Sequence, residues 1–238
     1  MTTTSSRGGK KMWCVAEVNA EYVAKMKDVL DTLAKAPSSR EPVVALDERP
    51  VMLREPARPE RPMAPGKLRR PDYEYRRRGT ANAYCIVEVH QGRHLTHATR
   101  NRKAEAFVKA LQRIANEFPD AKKIHLIMDN LNIHCERSVI RILGPKAGRK
   151  LWKRFHVHYT PKHASWLNPA EIEASAFARQ CLGKLRVGSF QQLCDRTEAW
   201  NDVRDRDRVP ITWKYTWADA RKSFGLIRRG SKITAAKH

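Results

Sequence analysis

Ile124-His125-Leu126-Ile127-Met128-Asp129-Asn130 and, far earlier in the chain, Val43-Val44-Ala45-Leu46-Asp47 are the two stretches that decide the fold. Each is a compact apolar run, as expected for a central strand covered on both faces. Each also delivers an aspartate at its end. An ionised carboxylate beside a core is costly unless it is paired or bound to a metal, so such a residue points to function more often than to decoration. If the two strands are sheet neighbours, the carboxylates sit roughly 5 Å apart. Like charges that close repel, and divalent cations resolve the conflict. Side chains alternate along a strand, so Asp47 and Glu48 cannot share one site; Asp47 continues the pattern of the Asp129 strand and is the candidate.

A third acid comes from Pro161-Lys-His-Ala-Ser-Trp-Leu-Asn-Pro-Ala-Glu171. Asn168 reads as an N-cap, Pro169 as the first helical residue and Glu171 as the third, a helix start supported by several signals at once. A glutamate there can equally close a capping box. Glu173 lies about 200° further around the helix, so at most one of the pair faces the site, and the rigid helix start favours Glu171.

Around these segments the periodicity predicts a short amphipathic helix within 12–35, a strand pair over 82–99 turning at Gln91-Gly92, and a helix over 104–118 stopped by Pro119. A helix over 136–152 interrupted at Gly144-Pro145, a strand over 155–160, and helices near 169–182 and 189–204 follow. Strand alternation with helices after an antiparallel meander implies a mixed sheet with helices on its faces. Between Arg49 and Thr80 six prolines (50, 56, 59, 62, 65, 71) and many arginines mark an extended excursion. It reads equally as a plain linker and as a DNA-backbone contact through Arg76, Arg77 and Arg78 beside Tyr73 and Tyr75. Residues 1–40 form an N-terminal extension, 41–205 the main domain and 206–238 a basic tail.

The chain has 238 residues, enough for a sizeable core. Its 47 Lys+Arg against 25 Asp+Glu give a formal net charge of +22, which makes nucleic acid the leading partner. No apolar run approaches a membrane span or a signal peptide, so a cytoplasmic protein without membrane contact is expected. Five cysteines without a CxxC pair point to free, mostly buried thiols. His90, His94 and His97 have a loosely zinc-like spacing but read as exposed strand histidines.

The segments Val43–Glu48, Asp72-Tyr-Glu-Tyr-Arg-Arg-Arg-Gly-Thr80, Asp129-Asn-Leu-Asn-Ile-His134 and His158–Glu171 resemble the insertion sequence 630 family of bacterial transposases, relatives of the mariner elements with a DDE triad. The resemblance runs from about Lys11 to Gly225. It implies a ribonuclease-H-like fold, a mixed five-stranded sheet with helices on both faces, with Asp47, Asp129 and Glu171 as catalytic acids and metal ligands. It further implies two Mg2+ ions, or Mn2+ in their place, and DNA cleavage and strand transfer at the ends of an insertion sequence. Asn130 and His134 fall on family positions read as site support or DNA contact, with a capping or core role for His134 nearly as well supported. Lys162, His163 and the arginine-rich excursion would hold the phosphate backbone. Transposon-end and target DNA, a second copy of the chain and a separate helix-turn-helix chain are the implied partners, in a bacterial cytoplasm at the nucleoid. Members normally begin with helix-turn-helix domains, which fewer than fifty residues ahead of Asp47 leave no room for. A non-catalytic DNA-binding remnant and a nuclease that never joins strands are the rival readings.

Overall fold

The computed structural model describes residues 18–58, 65–66, 73–183, 186–229 and 232–235. Helix α1 (Ala20–Leu33) precedes the long strands β1 (Val43–Pro56) and β2 (Tyr75–Glu88), then the short β3 (Arg93–His94) and β4 (His97–Thr99). Helix α2 (Ala104–Glu117), β5 (Ile124–Met128), α3 (Glu136–Leu143), α4 (Pro145–Trp152) and β6 (Phe155–Tyr159) follow. A 3-10 turn at Ser165–Leu167 leads into α5 (Ala170–Ala176), which runs on as a π-helical segment, Phe177–Leu182. The rest is α6 (Phe190–Asp207), α7 (Trp217–Ser223) and a hairpin of β7 (Leu226–Arg229) and β8 (Lys232–Ala235).

The main sheet has the order β3-β2-β1-β5-β6, with β4 beside β3 on the same edge of β2. β1 is antiparallel to β2 and parallel to β5, which is parallel to β6. This is the expected mixed sheet, with a sixth strand where the β2 partner divides in two. Gly92 turns the chain from β2 into β3 at φ 65°, and a Cβ there would lie 2.5 Å from the Val209 carbonyl group. Only glycine meets both demands.

Alternation sorts the strand side chains onto two faces. Val44, Leu46, Leu126 and Met128 pack beneath α2 with Phe107, Leu111 and Ile114. Val43, Ala45 and Ile127 face α1, meeting Met26, Val29 and Leu30. A third cluster fills the space between the outer half of the β1–β2 ladder and the α5–α6 region, around Phe177, Leu193 and Trp200.

Three expectations change. The proline- and arginine-rich excursion is shorter than 49–80, because Arg49–Pro56 and Tyr75–Thr80 are the outer halves of β1 and β2. Its residues 59–64 and 67–72, like the first part, 12–17, of the stretch 12–35 in which a helix is predicted, lie outside the described residues. The basic tail carries a packed helix: Thr216 and Asp219 form a capping box at the start of α7, and Ala220 is fully buried against the α1 side. His94 is not an exposed strand histidine. It is buried, with Nδ1 2.9 Å from the Glu173 carboxylate. Cys85 and Cys181 are buried and Cys135 and Cys194 half-buried, all free, while Cys14 lies outside the described residues.

Candidate active site

Asp47 does not end its strand. β5 stops at Met128 while β1 continues beside β2, so Asp47 stands where β1 loses its parallel neighbour. The register Ala45↔Ile127, carried two residues further, sets Asp47 opposite Asp129, and both continue the face of Val43, Ala45 and Ile127. A gap in the ladder, rather than a strand end, makes room for charge.

The third acid arrives on α5. Asn168, buried and extended at φ −87°, donates its Nδ2 hydrogen to the Leu46 carbonyl at 2.9 Å. Its Oδ1 accepts from the Ala170 N–H at 3.1 Å, so one side chain caps the helix and ties it to the residue before Asp47. Glu171 is exposed in the first turn of α5, close enough to Asp47 for its charge to be felt there. Burial is the main force that pushes the Asp47 carboxyl up to about 7; a hydrogen bond from the Glu48 N–H opposes it, and the carboxylates of Glu171, Asp129 and Glu48 add to it. Glu173 points elsewhere: it is 2% exposed, pairs with His94 and accepts from Thr96 Oγ1 at 3.0 Å.

Sequence reading missed Glu48. It sits on the α2 face, as alternation requires, with a side chain only 4% exposed, and its Oε1 lies 2.8 Å from His134 Nε2. His134 Nδ1 in turn lies 3.1 Å from the Asp129 carbonyl and 2.6 Å from Asp129 Oδ1. Nδ1 thus faces both the carboxylate and the carbonyl of Asp129. Burial disfavours a charged imidazole here, but hydrogen bonds to Asp129 and Glu48 outweigh it and raise His134 to about 9. Held between Glu48 and Asp129, the ring is a clamp on Asp129. It rests on Phe107, ring centroids 4.6 Å apart, and Tyr159 donates to its main-chain carbonyl at 2.5 Å. Full burial fits the support role for His134 and leaves it no surface to offer DNA.

Asn130, Lys162 and His163 line a cleft with Asp129, walled by Asn19, Tyr22 and Lys25 of the α1 end. His163 adopts φ 63°, a left-handed conformation that histidine enters more readily than most residues but still at some cost. Arg76, Arg77 and Arg78 do not join this cleft. They are exposed on β2, seven to nine residues beyond Cys85, the partner of Asp47, which is about 25–30 Å along the ladder. Arg78 there bonds Glu55 at 2.7 Å, and Arg54 and Arg186 stack on Tyr75 at 4.9 and 5.5 Å.

The donor set can be tested against a divalent cation. Asp47, Asp129 and Glu171 supply hard oxygen ligands, the Asp129 Oδ1 atom is buried and held against His134, and burial together with the nearby acids lifts Asp47. All three features suit Mg2+ or Mn2+.

A mixed sheet with this strand order and helices on both faces defines a ribonuclease-H-like domain. The family model of DDE superfamily endonucleases matches residues 42–194, and the chain belongs to that family. Its fold is similar to that in the Mos1 transposase paired-end complex with left transposon end, at a TM-score of 0.51 and 16% identity over 83% of this chain. The mariner Mos1 paired-end complex with Mg matches at 0.53, with 16% identity over 86%. This chain spans 61% and 62% of those two chains. A comparison with curated protein sequences finds no match.

Proposed function

We propose that the chain is the catalytic domain of an insertion sequence 630-type transposase, related to mariner transposases, which cuts DNA at the element's ends and joins the freed ends to target DNA. The observation that carries this reading is the convergence of Asp47, Asp129 and Glu171 on one end of one sheet face, together with membership of the DDE endonuclease family. The three acids would hold two Mg2+ ions, or Mn2+; when bound, such ions activate the attacking oxygen and stabilise the leaving one. The chain's own residues do the rest. His134, held by Glu48, fixes the direction of the Asp129 carboxylate. Asn168 fixes the helix that presents Glu171. Lys162 and His163, exposed on the cleft, and Asn130 beside Asp129 would hold the phosphate backbone at the reacting bond. Arg76 and Arg77 on the β1–β2 arm would hold flanking duplex. Cutting and joining two ends implies two copies at work, and a separate helix-turn-helix chain would read the end sequence. The site of action would be the bacterial nucleoid; no helix among the described residues is long and apolar enough to cross a membrane.

The test is nicking of a labelled DNA duplex by the purified chain with Mg2+ or Mn2+, followed by joining of pre-cleaved ends to a plasmid. Asp129→Asn is expected to remove both activities while leaving salt-sensitive DNA binding in place. Equal nicking by that variant, or salt-sensitive binding with no metal-dependent cleavage by the parent chain, would overturn the reading.

A further inference from the structure

On the outer half of the α1 face, away from the acids, β5 and β6 place three imidazoles together. His125 and His156 are direct partners in the parallel register, and His158 follows two residues on, so all three share one face. Their rings stack with centroids 4.6 to 5.3 Å apart, and one nitrogen from each lies within 4.8 Å of the others. His125 and His158 are 4% and 2% exposed, while His156 opens to solvent. A stack of three imidazoles across the edge strand β6 and its neighbour β5 serves neither the core nor the candidate active site, which begins at Asp129, about 13 Å further along β5.

We infer that this cluster is a second metal site, for a transition-metal dication of the zinc class, with His125 Nδ1, His158 Nε2 and one nitrogen of His156 as ligands. His125 Nδ1 and His158 Nε2 lie 2.9 Å apart. Two nitrogens held about 2.0–2.1 Å from a tetrahedral ion are about 3.4 Å apart, so a shift of half an ångström, roughly, admits the ion. The remaining nitrogen of His158 already has a partner of the kind that orients a metal-bound imidazole. His158 Nδ1 lies 2.8 Å from Asp28 Oδ2 and 3.2 Å from Thr32 Oγ1, both on α1. His125 Nε2 has the Glu41 carboxylate at 3.9 Å, and Lys35 Nζ, now 2.8 Å away, is on an exposed and flexible side chain that can swing aside. The His158 ring thus has a carboxylate behind it, the arrangement that fixes a ligand histidine's tautomer and strengthens it as a donor. His156 supplies the entry path, and the fourth position is left to water.

An all-nitrogen donor set selects zinc-like ions over Mg2+ and Mn2+, which prefer the oxygen set at the other end of the strands. The two sites therefore load independently. Bound metal would tie β5 and β6 through Asp28 to α1, whose first turns wall the cleft beside Asp129.

The test titrates the metal-stripped full chain with Zn2+ by calorimetry and with Co2+ by visible absorption. One equivalent should bind, with the intense visible band of low-coordinate Co2+, unaffected by excess Mg2+. His156→Ala removes an exposed ring and leaves the core intact, so it should fold as the parent does, by circular dichroism and metal-free Tm, and lose about 100-fold or more in affinity. Asp28→Asn should lose about 10- to 100-fold, and Asp129→Asn should bind as the parent does. No saturable binding by the parent, undiminished binding by His156→Ala, or loss in Asp129→Asn would each overturn the inference.

Discussion

Two glutamates separated by one residue on α5 have opposite surroundings, and this decides how each responds to removal. Glu173 is buried, pairs with His94 and accepts from Thr96, whereas Glu171 is exposed and its charge is felt at Asp47. Breaking a buried pair strands the partner, so Glu173→Ala should cost about 3–5 kcal/mol in denaturant unfolding. Glu171→Gln should stay within about 0.5 kcal/mol of the parent yet abolish metal-dependent nicking. If Glu173→Ala were as stable as the parent and inactive, the assignment of the two would be reversed. Glu48 gives a second prediction, because it acts on Asp129 only through His134. Glu48→Gln is expected to reduce nicking about 10- to 100-fold and to raise the Mn2+ concentration needed, short of the complete loss in Asp129→Asn; a Mn2+ titration of the nicking rate checks it. Alternation along β1 was enough to send Asp47 and Glu48 to opposite faces. It could not reveal that a histidine 86 positions away would bring Glu48 back to the site, since that contact depends on how the loop after β5 folds over α2.

At the level of elements, the start of α5 was legible and the length of β1 was not, for reasons that lie in the chemistry of each. Asn-Pro-Ala-Glu carries its instruction locally: an amide that can accept from the first free N–H, then a proline already at helical φ −58°. Prolines 50 and 56 argued against a strand, yet both lie within β1. Past Met128 the β5 neighbour is gone and β1 has become an edge strand on that side, the place where a sheet tolerates proline. What no local pattern could convey is the second bond of Asn168, to Leu46 across the chain. Asn168→Ala loses both bonds from a buried position, so the expected cost is about 1–3 kcal/mol in unfolding. Because the same bond aligns α5 with β1 one residue before Asp47, nicking should fall further than Tm alone accounts for. Asn168→Asp keeps the cap but loses the donor to Leu46. It should recover part of the stability and little of the activity, measured as nicking rate against Tm for the two variants.

Taken as a whole molecule, the chain combines a large positive charge with four histidines that burial disfavours from charging. Burial lowers His90, His97, His125 and His158, with His97 and His125 reaching about 4. In the unfolded chain these rings titrate near the ordinary 6.5, so between about pH 6.5 and 4 the unfolded state binds more protons than the folded one. The histidines' contribution is therefore fully present above that window and is lost as pH falls through it, while Asp47, raised to about 7, contributes in the opposite sense over the same range. A net charge of +22 pushes in the same direction as the histidines, since protonating carboxylates leaves the positive charges unopposed. A falling Tm in acid would not by itself separate the two causes. His97, half-buried and stacked on Tyr84 with centroids 5.7 Å apart, provides the separation, because it is neutral in the folded chain at pH 7 and its replacement leaves the net charge unchanged there. The depressed value corresponds to at most about 3 kcal/mol, one pKa unit being about 1.4 kcal/mol. His97→Asn should lower the Tm of the metal-free protein at pH 7 by a few degrees and flatten its fall between pH 7 and 5. An acid arm as steep in the variant as in the parent would assign the loss to charge repulsion alone.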